Sequence, residues 1–144
     1  MSGPVPYKRV KPEKLAKELN EILESYANDV CAGTVQSVKT ISKAAAKDLK
    51  ATSPVHHGAY TDRRRRERRP GSYAKGWTTT TIEEKVHKIT ISVHNKDEYR
   101  LAHLLEKGHV SNKGGHVPAH VHIKPIEDHY TKELEKQIEI LVRK

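Results

Sequence analysis

The chain has 144 residues, with 27 Lys and Arg against 18 Asp and Glu, a formal net charge of +9. Hydrophobic residues make up 35% and aromatics 5%, with no Phe, so the composition describes one domain with a small core, or a subunit that completes its core against neighbours. No stretch approaches the ~18 consecutive apolar residues of a membrane span, and the first twelve residues lack the apolar centre of a secretory signal. The single cysteine, Cys31, rules out an internal disulfide framework and a Cys-based zinc site, and it fits a reducing cytosol.

Residues 1–11 read as an extended N-terminal arm and 12–144 as a single domain of the α+β class. Its expected parts are a long N-terminal helix, a small antiparallel β-sheet, a short helix and a C-terminal helix. Pro12 suits a first helical turn, and Leu15, Leu19, Ile22, Tyr26 and Val30 recur at three and four. Val38, Ile41, Ala45 and Leu49 continue the stripe, so residues 12–50 form one helix, or two meeting with a bend near Gly33. Ser53-Pro54 ends it, because proline disfavours the helical conformation of the residue before it.

Next comes a basic loop, residues 61–75. Residues 1–54 carry +3, residues 55–75 carry +5 and residues 76–144 carry +1. The excess is concentrated in Arg63, Arg64, Arg65, Arg66, Arg68 and Arg69, with Glu67 the one internal counter-charge. Such a block repels itself and reads as a long mobile loop. Arginine is the better phosphate fork, so six arginines without lysine point to a loop lying near polyanion, foremost nucleic acid.

Trp77–Ile82 is aromatic and β-branched, and Lys88–His94 alternates, with Ile89, Ile91 and Val93 on one face. The polar link Glu83-Glu84-Lys85 makes the two an antiparallel hairpin that a helix must cover or a third strand must join. Tyr99–Lys107 reads as a short helix with Leu101, Leu104 and Leu105 inward and Gly108 as a left-handed cap. A Gly-rich loop follows over 109–119, then a short strand Val121–Ile123 and a helix from about Pro125 with Leu134, Ile138, Leu141 and Val142 on one face.

Ten histidines raise the question of chemistry. If Val121 lay in a strand, His120 and His122 would share a face about 6.6 Å apart. With His116 they could form a three-His site for zinc or nickel. No carboxylate stands at ligand spacing among them, and no bound metal or cofactor is expected. A nuclease would need convergent carboxylates, whereas Asp97 and Glu98 are adjacent. No nucleophile elbow surrounds Ser53 or Ser72, no phosphate-binding glycine loop occurs, and Cys31 reads as a packing residue. The expectation is no enzymatic activity and no catalytic residue.

Several stretches form an ordered series: Ser53-Pro54-Val55 with Gly58 and Tyr60, then Gly71-Ser72-Tyr73 with Gly76-Trp77, then Val93-His94-Asn95. Tyr99-Arg100-Leu101-Ala102-His103-Leu104-Leu105-Glu106-Lys107-Gly108 follows, then Val117-Pro118-Ala119-His120 and Ile123-Lys124-Pro125. Over roughly residues 50–130 this resembles the tail-completion, or head–tail joining, proteins of long-tailed bacteriophages. The arginine run is longer than in the common pattern, and His56-His57 stands where an acidic or polar pair is frequent. The resemblance implies a structural virion protein at the phage neck or tail top, assembled in the host cytoplasm. It implies a homo-oligomeric ring that contacts head-side adaptor or stopper proteins and the tail terminator or tail tube. Phage genomic DNA would pass through the lumen, with no membrane involved. The longer arginine run leaves two places for its six arginines: facing that DNA, the reading preferred because no aromatic and, beyond Glu67, no acidic residue is interleaved to form a docking motif, or reaching sideways to acidic residues of a neighbouring protein. The motif positions it assigns to structure are Pro54, Gly58, Trp77, Tyr99, Leu101, His103, Leu104, Glu106, Gly108, Pro118 and Pro125. Two other functions compete: a free nucleic-acid-binding protein using the arginine loop, and a nuclease centred on His116, His120 and His122. The first lacks an aromatic stacking platform.

Overall fold

A computed structural model describes residues 9, 11–55, 60, 61 and 65–144. The expected arm 1–11 lies almost wholly outside the described residues, as do Gly58, Arg63 and Arg64. The architecture is α+β: a long N-terminal helix, a small antiparallel sheet, short helices and a C-terminal helix. Helix α1 runs unbroken from Pro12 to Thr52, with Pro12 at its first position and Ser53 N–H closing its end on Leu49 O at 2.9 Å. Gly33 therefore does not divide it into two helices. A Cβ at Gly33 would come within 2.7 Å of the Leu141 side chain, so the glycine admits a neighbouring helix.

That neighbour is α4, Ile123–Arg143, which lies antiparallel along α1. The Tyr26 hydroxyl donates to Val142 O at 2.6 Å at one end, and the Tyr130 hydroxyl donates to the Asp48 carboxylate at the other. The bond to Asp48, aided by burial, pushes the Tyr130 hydroxyl up to about 12.

Strands β3 (Trp77–Lys85) and β4 (Lys88–Asn95) form the main hairpin, in register from Trp77↔Asn95 to Lys85↔Lys88 with a bulge between Thr81 and Glu83. The expected link Glu83–Lys85 is strand, and the turn falls at Val86-His87 instead. Glu83 pairs with both Lys85 and Lys88, which holds the register across the bulge. Helix α1 covers the hairpin: Lys39 bonds Glu84 at 2.8 Å, and Cys31 Sγ lies 3.6 Å from His87 Nδ1. The expected split into one buried and one wet face does not hold. Residues 89–94 are all half-buried, because α1 packs on the hairpin and helix α3 (Tyr99–Lys107) also reaches β4.

Three smaller elements depart from expectation. The arginine segment carries β1 (Tyr60–Thr61) paired with β2 (Glu67–Arg68) and is followed by the four-residue α2 (Ser72–Lys75). The Gly-rich segment holds β5 (His109–Val110) paired with β6 (His116–Val117), turned by Gly114 and Gly115 at φ of 83° and 92°. The expected strand at 121–123 is absent, and α4 begins there. Among the described residues no helix is long and apolar enough to cross a membrane.

The core is small. Leu49, Tyr73 and Trp77 are its buried centre, and Val93, Leu101, Ala102, Leu105, Ile123 and Ile126 pack around them. Gly76 sits at its edge, where an added Cβ would overlap Asn95 Oδ1. Its φ of −75° suits any residue, so the constraint is steric alone. Asn95 is 2% exposed and cannot swing away. Gly76→Ala should cost about 2 kcal/mol by overpacking, read as a lowered thermal midpoint. An unchanged midpoint would mean that Asn95 is free to move.

Candidate nucleic-acid interface and the packed motif

The arginine segment is a hairpin rather than a featureless loop. Tyr60 pairs with Arg68 and Thr61 with Glu67. Arg65 takes a φ of 58°, a turn conformation uncommon outside glycine. Arg65, Arg66 and Arg69 are exposed. Arg68 is not equivalent to them. Its Nη2 donates to Asp97 O at 3.0 Å, its Nε lies 3.9 Å from Glu98, and its side chain is 14% exposed. Glu98 also accepts from Ser72 Oγ. Arg68 thus fastens the hairpin to the β4–α3 turn, which sets it apart from the exposed Arg65, Arg66 and Arg69. A mostly apolar groove of about 310 Å³ lies beside this fastening, between Val55 on one side and Leu101 and Leu105 on the other.

The motif residues largely converge. Trp77 is 4% exposed and donates from Nε1 to Ser53 Oγ at 2.8 Å, beside the Pro54 helix stop. Its ring meets Tyr73 edge-on, with centroids 5.9 Å apart. Leu101 packs on this cluster, and Leu104 is half-buried. Tyr99, His103, Pro118 and Pro125 are exposed, with Arg100 above the Tyr99 ring.

Glu106 explains the spacing between the Leu-Leu-Glu stretch and Ile-Lys-Pro. Helix α4 has no side-chain cap of its own. The Glu106 carboxylate accepts instead from the backbone N–H groups of His122, Ile123 and Lys124, each at 2.9 Å. The fourth N–H that an α-helix leaves unpaired belongs here to Pro125, which has none. Burial disfavours ionised Glu106, but the three N–H donors outweigh it and hold the carboxyl below the usual range.

Gly108, between Glu106 and β6, takes φ 75° and ψ 171°, a positive-φ extended conformation and not the left-handed cap expected of it. A Cβ there would lie 2.7 Å from Val117 O. Glycine is required for that close approach, which lets β6 and the following chain pass tightly behind α3. His120 N–H then reaches Leu105 O at 2.6 Å.

Sequence reasoning missed two residues. Asn95 is the most buried side chain: Nδ2 donates to Tyr73 O at 2.6 Å, and Oδ1 accepts from Asp97 N–H at 3.2 Å and Glu98 N–H at 2.9 Å. His122, weighed above as a metal ligand, is 3% exposed. Its Nδ1 lies 2.7 Å from His120 O, and a carbonyl only accepts, so that nitrogen carries the proton. Nε2 then accepts from the Tyr73 hydroxyl at 2.8 Å. Burial, and after it the Glu106 and Glu98 carboxylates, push the Tyr73 hydroxyl up, which keeps it a donor. His122 therefore joins two layers of the core, while His116 sits on exposed β6. Among the described residues, no group of three or more His, Cys, Asp or Glu is placed to hold a metal ion.

Comparison with family models, with curated proteins and with solved structures gives no match to this chain.

Proposed function

We propose that this chain is a structural subunit of a phage neck or tail top, forming a homo-oligomeric ring that joins head to tail and surrounds the DNA passage. The observation that carries this reading is the convergence of the residues behind the resemblance. Trp77, Leu101, Glu106 and Gly108, spread over 32 positions, act on one small core and on the start of one helix. The arginine hairpin supports the second half of the reading. It is fastened at Arg68 and presents its remaining described arginines outward, as a lumen loop would. Phosphate contacts carry no base register, so such a loop holds the packaged DNA end yet lets it slide. No catalytic step and no cofactor belongs to this role.

The test separates charge from geometry. Arg63, Arg64, Arg65 and Arg66 changed together to Lys should leave head–tail joining within about twofold of wild type, because a lumen needs only charge. Joined, infectious particles are counted. Failure to join heads to tails would reject the lumen and point to bidentate docking on a neighbouring protein, which Lys cannot provide. Finding the chain absent from purified virions, with salt-sensitive DNA binding by the free protein, would favour the free nucleic-acid-binding reading. Arg68 stays out of the set because it holds the hairpin.

A further inference from the structure

Helix α4 follows α1 back only as far as Tyr26, where the bond to Val142 O falls in its last turn. Residues 12–25 of α1 run on past it for about 20 Å at 1.5 Å per residue. They bear Leu15, Leu19, Ile22 and Leu23, which are 49%, 50%, 65% and 62% exposed. Leu15, Leu19, Ile22 and Tyr26 recur at intervals of four, three and four, the spacing of a packing seam. Through Tyr26 this stripe continues the face that α4 covers further along. Four large apolar side chains left in water along one part of a helix form a surface that a partner would cover.

Charge identifies the partner. Residues 12–29 carry five acidic and two basic residues, whereas residues 30–144 carry a net +9. Two such extensions laid together would place acid against acid. The same extension against the body of another copy places acid against base. The body offers a matching seat: the groove between Val55 and Leu101, with exposed Lys75 beside it. Val55 and Lys75 both come within 3.8 Å of a Cβ placed on Gly71, so a lysine stands next to the apolar floor, while Glu98, which also lines the groove, is engaged by Ser72 and Arg68. An amphipathic helix entering a groove is a common recognition mode.

We infer that the leading third of α1 from one copy docks, through Leu15, Leu19, Ile22 and Leu23, into the Val55–Leu101 groove of the next copy. The contact is head-to-tail, so it propagates and closes only by symmetry, as a ring requires. It deepens the ring reading above and rests on it for closure.

Sedimentation of the purified full-length chain tests it, with circular dichroism as the control for folding. Leu19→Asp/Ile22→Asp alters residues exposed in the single subunit, so it should keep the fold and weaken self-association about 100-fold or more. Val55→Asp should do the same from the other side. Each variant is then a monomer, but a 1:1 mixture retains one intact extension and one intact groove, and it should form a heterodimer and nothing larger. Rising salt should weaken wild-type association, since the contact joins opposite charges.

A wild-type chain that stays monomeric at about 1 mM overturns the inference. So does a Val55→Asp variant that self-associates normally while the α1 variant does not, with association strengthened by salt: that pattern marks extension-to-extension pairing. Rings assembled by the α1 variant would leave the ring reading standing and reject this contact. Head-to-tail association by a chain absent from virions would do the reverse.

Discussion

Asn95→Ala should unfold much of the population at ordinary temperature. The side chain holds one carbonyl and two N–H groups around the β4–α3 turn, and little water reaches them. Leaving such groups unpaired costs roughly 1–3 kcal/mol each, so the loss should be about 5 kcal/mol. That is a large share of the roughly 5–15 kcal/mol by which domains are stable. Asn95→Asp separates hydrogen bonding from volume. It keeps both acceptor bonds but sets an oxygen against Tyr73 O, so it should recover less than half of the loss. Denaturant titration followed by circular dichroism measures both. An alanine variant within about 1 kcal/mol of wild type would mean that the turn is held by other contacts.

Glu106→Ala should cost about 3 kcal/mol at neutral pH, because a charged cap on three backbone donors is lost at once. The pH dependence follows from the sign of the shift. The carboxyl is held lower in the folded chain than in the unfolded one, whose glutamate titrates near about 4.3. Its contribution is therefore complete above about 4.3 and drains away as pH falls through the lower folded value. The stability gap between wild type and Glu106→Ala should shrink on acidification through that window. A gap that stays constant down to acid would show that the charge on Glu106 does not matter to the cap.

The long elements were readable because periodicity marks them. The repeat of Leu, Ile and Val along 12–52 and the leucines of 99–107 located α1 and α3, and alternation located most of β4. The two small hairpins were not readable, since two-residue strands are too short to show a period. Glu106 was placed in the right motif but not in its role. Capping signals in a sequence are sought within a turn of the helix start, and this carboxylate arrives from sixteen residues before His122. His122 looked like a possible ligand because its neighbours in sequence are histidines. Its burial is set by Tyr73, which is distant in the chain and carries no signal pointing to it. The uncovered stripe of α1 was visible as hydrophobic spacing, but only the end of α4 at Tyr26 reveals that it lacks a partner within the described subunit.

The Glu106 cap also sets an order of events. The amide protons of residues 122–124 are held by a side chain of α3, not by anything within α4. The first turn of α4 is therefore complete only once α3 has formed and the β5–β6 hairpin has brought the chain back beside it. In hydrogen exchange these three amides report on α3, and their protection should vanish together with that of α3 even while the middle of α4 remains closed against α1. The start of the last helix is thus a built-in indicator of whether the segment before it is in place.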